Sequence, residues 1–405
     1  MTAKTSLTAI APDMGDFKDG ITSFQSLKAP YARGGGTPAT KIVEDACLQY
    51  LGKWDAANES APAPLVAMTA TGQAANHTVF AALKGGDLVA SKHLFGTTKT
   101  DLKITFQHAG DAIAWVDPCD VQAFIDNTTE KTTAWFVEAV SNPAGRVPDL
   151  NALSKAAKER GILLVVDGTL AAGMPGYKGL EHADVLTASL TKQSGGGDNE
   201  NIGGVIMVRQ DIPDITPKLV RLKDYFADAH GQLVLPANPL GAMCSKISLH
   251  EGSGAIASRV SLSIAKSLPG LEKRVARMSA NAAMLTRVLS DNPNISRVQL
   301  AGLQSDAAND ARAQEYLGGN HFVLLADLKG GFDGAEKFIN SQQFLHAVAL
   351  GQKVTAVSHP ASSTHRQYTD AERAGMGIGN GTIRISVGTE GKRDLQQRMI
   401  AALDF

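Results

Sequence analysis

Ile162-Leu163-Leu164-Val165-Val166-Asp167-Gly168-Thr169 decides the fold. Five consecutive apolar residues between Gly161 and Asp167 are too few for a helix core. A run with no polar alternation predicts a strand buried on both faces, the mark of a parallel sheet under helices. Outward from it the same grammar repeats. Asp149 caps a helix with Leu150, Leu153, Ala156 and Ala157 on one face, and Gly161 stops it. Thr133 to Ala139 reads as the preceding strand; Asp184 to Leu190 and Gly204 to Val208 read as the following ones. Upstream, Lys41 to Leu51 reads as a helix, Leu65 to Met68 as a strand and Gln73 to Leu83 as a helix, with Leu88 to Ala90 extended again. Such alternation predicts an α/β fold with a mostly parallel central sheet covered by helices.

Beyond Pro236 the texture changes. Ile256 to Leu289 reads as long helices broken near Pro269-Gly270, and Phe332 to Phe344 and Asp394 to Leu403 as further helices. Phe322 to Leu328, Val354 to Val357 and Thr382 to Val387 read as strands. The expected organisation is an arm over 1–45, an α/β domain over 46–240 and a smaller α+β domain over 241–405. Length agrees, since 405 residues suit two domains.

Composition narrows the function. With 39 Lys plus Arg against 40 Asp plus Glu, the net charge is −1, which argues against nucleic-acid or membrane-surface binding. No apolar run approaches the roughly 20 residues of a transmembrane helix. The chain starts without a basic segment leading into an apolar stretch, so no secretory signal is expected. Three scattered cysteines fit a reducing cytoplasm. His359 and His365 lack a third nearby ligand, so no metal site is expected.

Sites in open parallel sheets form at the carboxyl ends of strands. Asp167 ends one strand, and Lys192 follows the next. By spacing alone, the pair could equally be an ion pair. The flanking motifs go further: Tyr31-Ala32-Arg33, Thr71-Gly72-Gln73-Ala74-Ala75, Leu94-Phe95-Gly96-Thr97-Thr98, Glu138-Ala139-Val140-Ser141-Asn142-Pro143, Val166-Asp167-Gly168-Thr169, Ser189-Leu190-Thr191-Lys192, His359 through His365, and Ile383-Arg384-Ile385-Ser386-Val387-Gly388. In this order they resemble the pyridoxal-phosphate enzymes of cysteine and methionine metabolism, the cystathionine γ-synthase and γ-lyase family.

The resemblance implies a fold-type I architecture, pyridoxal 5′-phosphate as cofactor and an amino-acid substrate. Lys192 would link covalently to the cofactor aldehyde and then shuttle protons. Asp167 would face the pyridine nitrogen. Gly72 and Gln73 would offer backbone N–H groups to the phosphate, with hydroxyls from Ser189 and Thr191. Phe95 would stack on the ring, and Asn142 would bond its hydroxyl. Arg384 would hold the substrate carboxylate. Tyr31 and Arg33 would reach the phosphate of a neighbouring subunit, implying a homo-oligomer, a tetramer of active pairs.

The chain departs from the family on the substrate side. Phe95-Gly96-Thr97-Thr98 stands where the family has Tyr-Gly-Gly-Thr, and Gln193 follows the lysine where the family has Tyr. Ala349-Leu350-Gly351 replaces Ser-Leu-Gly, and Gly36-Thr37-Pro38 replaces Asn-Pro-Thr. The expected reaction is γ-replacement or γ-elimination on an activated homoserine or cystathionine-like substrate. A β-eliminating C–S lyase, or a cofactor-binding member with altered chemistry, is the alternative. A nicotinamide oxidoreductase is disfavoured, because no Gly-x-Gly-x-x-Gly joins a strand to a helix.

Overall fold

The structure, a computed structural model, describes residues 37–54, 62–198, 200–228, 230–251, 254–303 and 305–405. In chain order the first elements are α1 (Pro38–Tyr50), β1 (Leu65–Thr69), α2 (Gly72–Leu83), β2 (Asp87–Ser91), α3 (Gly96–Leu102), β3 (Ile113–Val116), α4 (Val121–Asp126), β4 (Thr132–Glu138), α5 (Leu150–Glu159), β5 (Leu163–Asp167), β6 (Val185–Ser189) and β7 (Gly204–Val208). Then come α6 (Leu222–Phe226), α7 (Pro239–His250), α8 (Ser258–Ser267), α9 (Leu271–Ser290), β8 (Ile295–Gln299), α10 (Ala307–Leu317), β9 (Val323–Leu328), α11 (Gly331–Asn340), β10 (Leu345–His346), β11 (Ala356–Ser358), α12 (Asp370–Gly375), β12 (Thr382–Ser386) and α13 (Lys392–Ala402).

The larger sheet runs in the order β1-β7-β6-β5-β4-β2-β3. Its five strands from β6 to β3 are parallel, while β7 is antiparallel to both β6 and β1. The apolar run that opened the reading is the fourth strand of seven, and successive residues serve opposite faces. Leu163 and Val165 join one core with Phe80 and Phe136; Leu164 and Val166 join the other with Trp135 and Leu186. Helices cover both faces, so no polar alternation survives in the sequence.

The second, smaller sheet has the order β10-β11-β12-β9-β8, mostly antiparallel, and encloses its own core around Leu324, Phe338, Ile383 and Ile385. The expected division near residue 240 falls at the start of α7. That helix lies on α2 and β1, and α8 lies on α1, so both cover the larger sheet. The cause is composition: Leu240, Met243, Cys244 and Ile247 are buried with the core that lines α2. The chain reaches the smaller sheet along α9.

Candidate active site

Four loops at the carboxyl ends of parallel strands converge on one cavity of about 410 Å³. β2 leads to Phe95, β4 ends at Glu138 and leads to Asn142, β5 ends at Asp167, and β6 ends at Ser189 and leads to Thr191 and Lys192. All seven line the cavity, together with Gly72 and Gln73 at the start of α2. Val348, Ala349 and Leu350 close it from the smaller sheet's side, and Ile202 and Thr364 complete the wall.

Asp167 and Lys192 are brought to one cavity without forming an ion pair. The Asp167 carboxylate accepts from Asn76 Nδ2 at 2.8 Å and from the Thr169 N–H at 2.9 Å. Asn76 is itself fixed, its Oδ1 accepting from Thr187 Oγ1 at 2.5 Å. The Lys192 amine makes no hydrogen bond or ion pair with a described residue, and burial foremost, then the Arg384 charge, lowers its pKa. A larger neutral fraction makes it a better nucleophile and base.

The start of α2 is built for close approach. Thr71 caps the helix, its Oγ1 accepting from the Ala74 N–H at 3.0 Å. A Cβ on Gly72 would lie 2.4 Å from the Ser189 Cβ, so only glycine lets the helix start abut the end of β6. Gln73 turns its side chain away to Asp101, leaving its backbone N–H as the group it contributes. Free N–H groups at a helix start, with the hydroxyls of Ser189 and Thr191 alongside, suit an anion.

Arg384 lies on β12, buried at 1% exposure, and burial lowers its pKa to about 10. Its Nη1 donates to Asn142 Oδ1 at 3.1 Å and its Nη2 to the Val348 carbonyl at 2.6 Å. Among the described residues its Nε has no hydrogen-bond partner and no carboxylate pairs with its charge. A buried unpaired cation is costly and calls for an anion. Arg384 itself does not line the cavity but lies behind Asn142 and Val348, which do. The orphaned Nε, the uncommitted lysine and the Gly72 cradle all fit a phosphate-bearing aldehyde cofactor and an amino-acid carboxylate.

Tyr31 and Arg33 lie outside the described residues. Several site residues escaped the sequence reading. Asn76 and Thr187 were invisible because Asn76 lies 91 residues from its partner Asp167, and Thr187 lies 111 residues from its partner Asn76. Glu138 was inside a quoted motif and received no role. Gln193 read only as a departure, yet its buried amide donates to the Thr169 carbonyl at 2.6 Å and the Ala172 carbonyl at 3.2 Å, tying the lysine's loop to that of Asp167. His359 and His365 bond to the chain itself, at the Asn380 and Asn142 carbonyls.

Comparison with known proteins agrees with this geometry. A family model described as Cys/Met metabolism PLP-dependent enzyme matches residues 36–404. An O-acetyl-L-homoserine sulfhydrylase of Thermus thermophilus is 32% identical over 83% of this chain and 81% of its own length. An L-methionine gamma-lyase of Fusobacterium nucleatum is 27% identical over 89% of this chain and 82% of its own length. A solved Campylobacter jejuni chain that carries N′-pyridoxyl-lysine-5′-monophosphate superposes with a TM-score of 0.81 at 22% identity, covering 100% of this chain and 97% of that one, a likeness of fold.

Proposed function

Because this chain belongs to the Cys/Met metabolism PLP-dependent enzymes, we propose that it replaces the γ-substituent of an O-acylated homoserine with a sulfur nucleophile. The carrying observation is the cavity's short inventory of ionisable groups. Among its described lining residues only Glu138, Asp167 and Lys192 titrate, and both carboxylates are held by neighbouring N–H groups. Phe95 has no hydroxyl where the family's tyrosine would offer one. Lys192 is then the one uncommitted proton carrier among them. A leaving group that departs without a proton, the carboxylate of an ester, suits such a site. A thiolate, whose conjugate acid has a pKa near ~8.5, benefits more from an acid.

When bound, pyridoxal phosphate supplies an electron sink for the substrate α-carbanion. The residues do the rest. Lys192 takes and returns protons at the α- and β-carbons. Asp167, fixed by Asn76 and Thr169, holds the proton on the ring nitrogen. Arg384, whose Nη1 donates to Asn142, would offer its Nε to the substrate carboxylate. Besides Lys192, no cationic side chain lines the described wall, and Arg384 behind it is committed to the α-carboxylate, so a neutral acyl group is favoured over one with its own charge. The resemblance supports a pairing of subunits through Tyr31 and Arg33, and the three cysteines, unpaired in the structure, support a reducing compartment. Among the described residues no helix is long and apolar enough to cross a membrane.

The test is a substrate panel. O-acetylhomoserine with sulfide is expected to outrun O-succinylhomoserine, cystathionine and methionine in kcat/KM. Phe95→Tyr should narrow the gap by improving the thiolate-releasing substrates, within the roughly 10²–10⁴-fold that acid–base assistance contributes. A wild-type preference for cystathionine, unchanged in Phe95→Tyr, would overturn the reading.

A further inference from the structure

Glu138 ends β4 directly opposite Asp167 on β5, the two being register partners in the parallel pair. It is 6% exposed and no described cation pairs with it, although it faces the cavity. A buried carboxyl beside a second one is expensive, so its retention needs a reason. Its bonds supply one. Oε1 accepts from the Phe95 N–H at 2.7 Å, and Oε2 accepts from the Asn142 N–H at 3.0 Å. One side chain thus ties the loop after β2 to the loop after β4. The first carries the aromatic ring of the cavity, and the second carries the amide that orients Arg384.

We propose that Glu138 is a positioning residue that fixes the cofactor ring between Phe95 and Asn142 by pinning both backbones at once. The proposal rests on the placement of pyridoxal phosphate at Lys192. Burial foremost and the Asp167 charge next push the Glu138 carboxyl up to about 8, while the two N–H donors draw it down. A glutamine at this position has one oxygen and one amide nitrogen. It can accept from one backbone N–H and must oppose the other, so one loop is released.

The test uses cofactor-free protein reloaded with pyridoxal phosphate, without substrate. Glu138→Gln should retain the cofactor about tenfold less tightly, the effect of one lost buried hydrogen bond. It should also lose most of the visible circular dichroism that reports ring orientation. Glu138→Asp, which keeps both acceptor oxygens, should fall between Gln and wild type and covers the case in which the Gln variant fails to fold. Cofactor affinity and visible dichroism equal to wild type in either folded variant, with only thermal stability reduced, would overturn the proposal. Lys192→Ala serves as the control. If it keeps the wild-type visible band, the cofactor's placement fails and the proposal falls with it. If it loses the band while Glu138→Gln behaves as wild type, only the role of Glu138 falls.

Discussion

Under the proposed function Lys192 carries the site's reactivity, because no described group competes for its amine. Removing it tests the assignment most directly. Lys192→Ala is expected to lose the visible band of the purified protein and all turnover, read by absorbance and by product formation. Mixed with Arg33→Ala protomers under conditions of subunit exchange, it should regain part of the activity if sites are shared between chains. No recovery despite exchange would mean that Arg33 acts within its own chain or not at all. At this scale the sequence was most informative about groups that end strands. Asp167 and Lys192 were legible because an apolar run stops at a polar residue, which happens at a sheet edge. Glu138 ends a strand too, but its partners are backbone N–H groups 43 and 4 residues away, and backbone donors leave no trace in sequence. The unpaired charge of Arg384 is likewise a property of its surroundings.

α2 and β6 abut most tightly where Gly72 meets Ser189. Gly72→Ala forces the helix start away from the strand end, since a Cβ at 2.4 Å from another side chain's Cβ cannot be accommodated in place. The expected outcome is a folded protein whose cofactor washes out on dialysis against phosphate, with loss of cofactor measured by fluorescence. Thr71→Ala, which removes a cap and leaves the packing, should cost about 1 kcal/mol of stability and spare cofactor retention. Elements were legible where their periodicity is clean. The strand at β7 was found with both its ends, yet its antiparallel direction was not, because alternation carries no polarity. α7 was missed: its residues are apolar on too many sides to show a stripe, being wedged between α2 and β1. Its start was nevertheless signalled by Asn238, whose Oδ1 accepts from the Gly241 N–H, followed by Pro239 in the first turn. β11 was placed two residues early, because Thr355 belongs to a loop held by Glu390.

Across the whole molecule, the two sheets meet at a neutral histidine. His321 accepts from the Val323 N–H at Nδ1, at 3.1 Å, and donates from Nε2 to the Leu170 carbonyl at 3.0 Å, joining β9 to the loop after β5. Burial holds His321, His93 and His365 each down to about 4, from an ordinary value of 6.5. A histidine depressed in the folded state adds stability that is complete above 6.5 and is lost as pH falls toward 4. Glu138 has the opposite sign: with its carboxyl pushed up to about 8, its contribution is full below 4.5 and is lost as pH rises through 8. Urea unfolding of the cofactor-free protein should therefore show midpoints that rise from pH 4 to 6.5 and then decline toward 8. His321→Asn should flatten the acid limb, and Glu138→Gln the alkaline one. A midpoint independent of pH between 4 and 8 would contradict both assignments.

The cavity's walls come from two separate lengths of chain. Gly72 through Lys192 form the floor, on one sheet, whereas Val348 to Leu350 and Thr364 form the opposite wall, beside Arg384 on the other. Seen over evolutionary time, this arrangement lets duplicated copies of one ancestor diverge in what they accept while inheriting the same cofactor machinery unchanged. Changes at Val348, Ala349 and Thr364 remodel that wall directly, whereas Gly351, where a Cβ would lie 2.5 Å from Gln193 Oε1, is fixed by its contact with the lysine's loop. A sulfhydrylase and a lyase can then stand at similar distance from one sequence, as they do here.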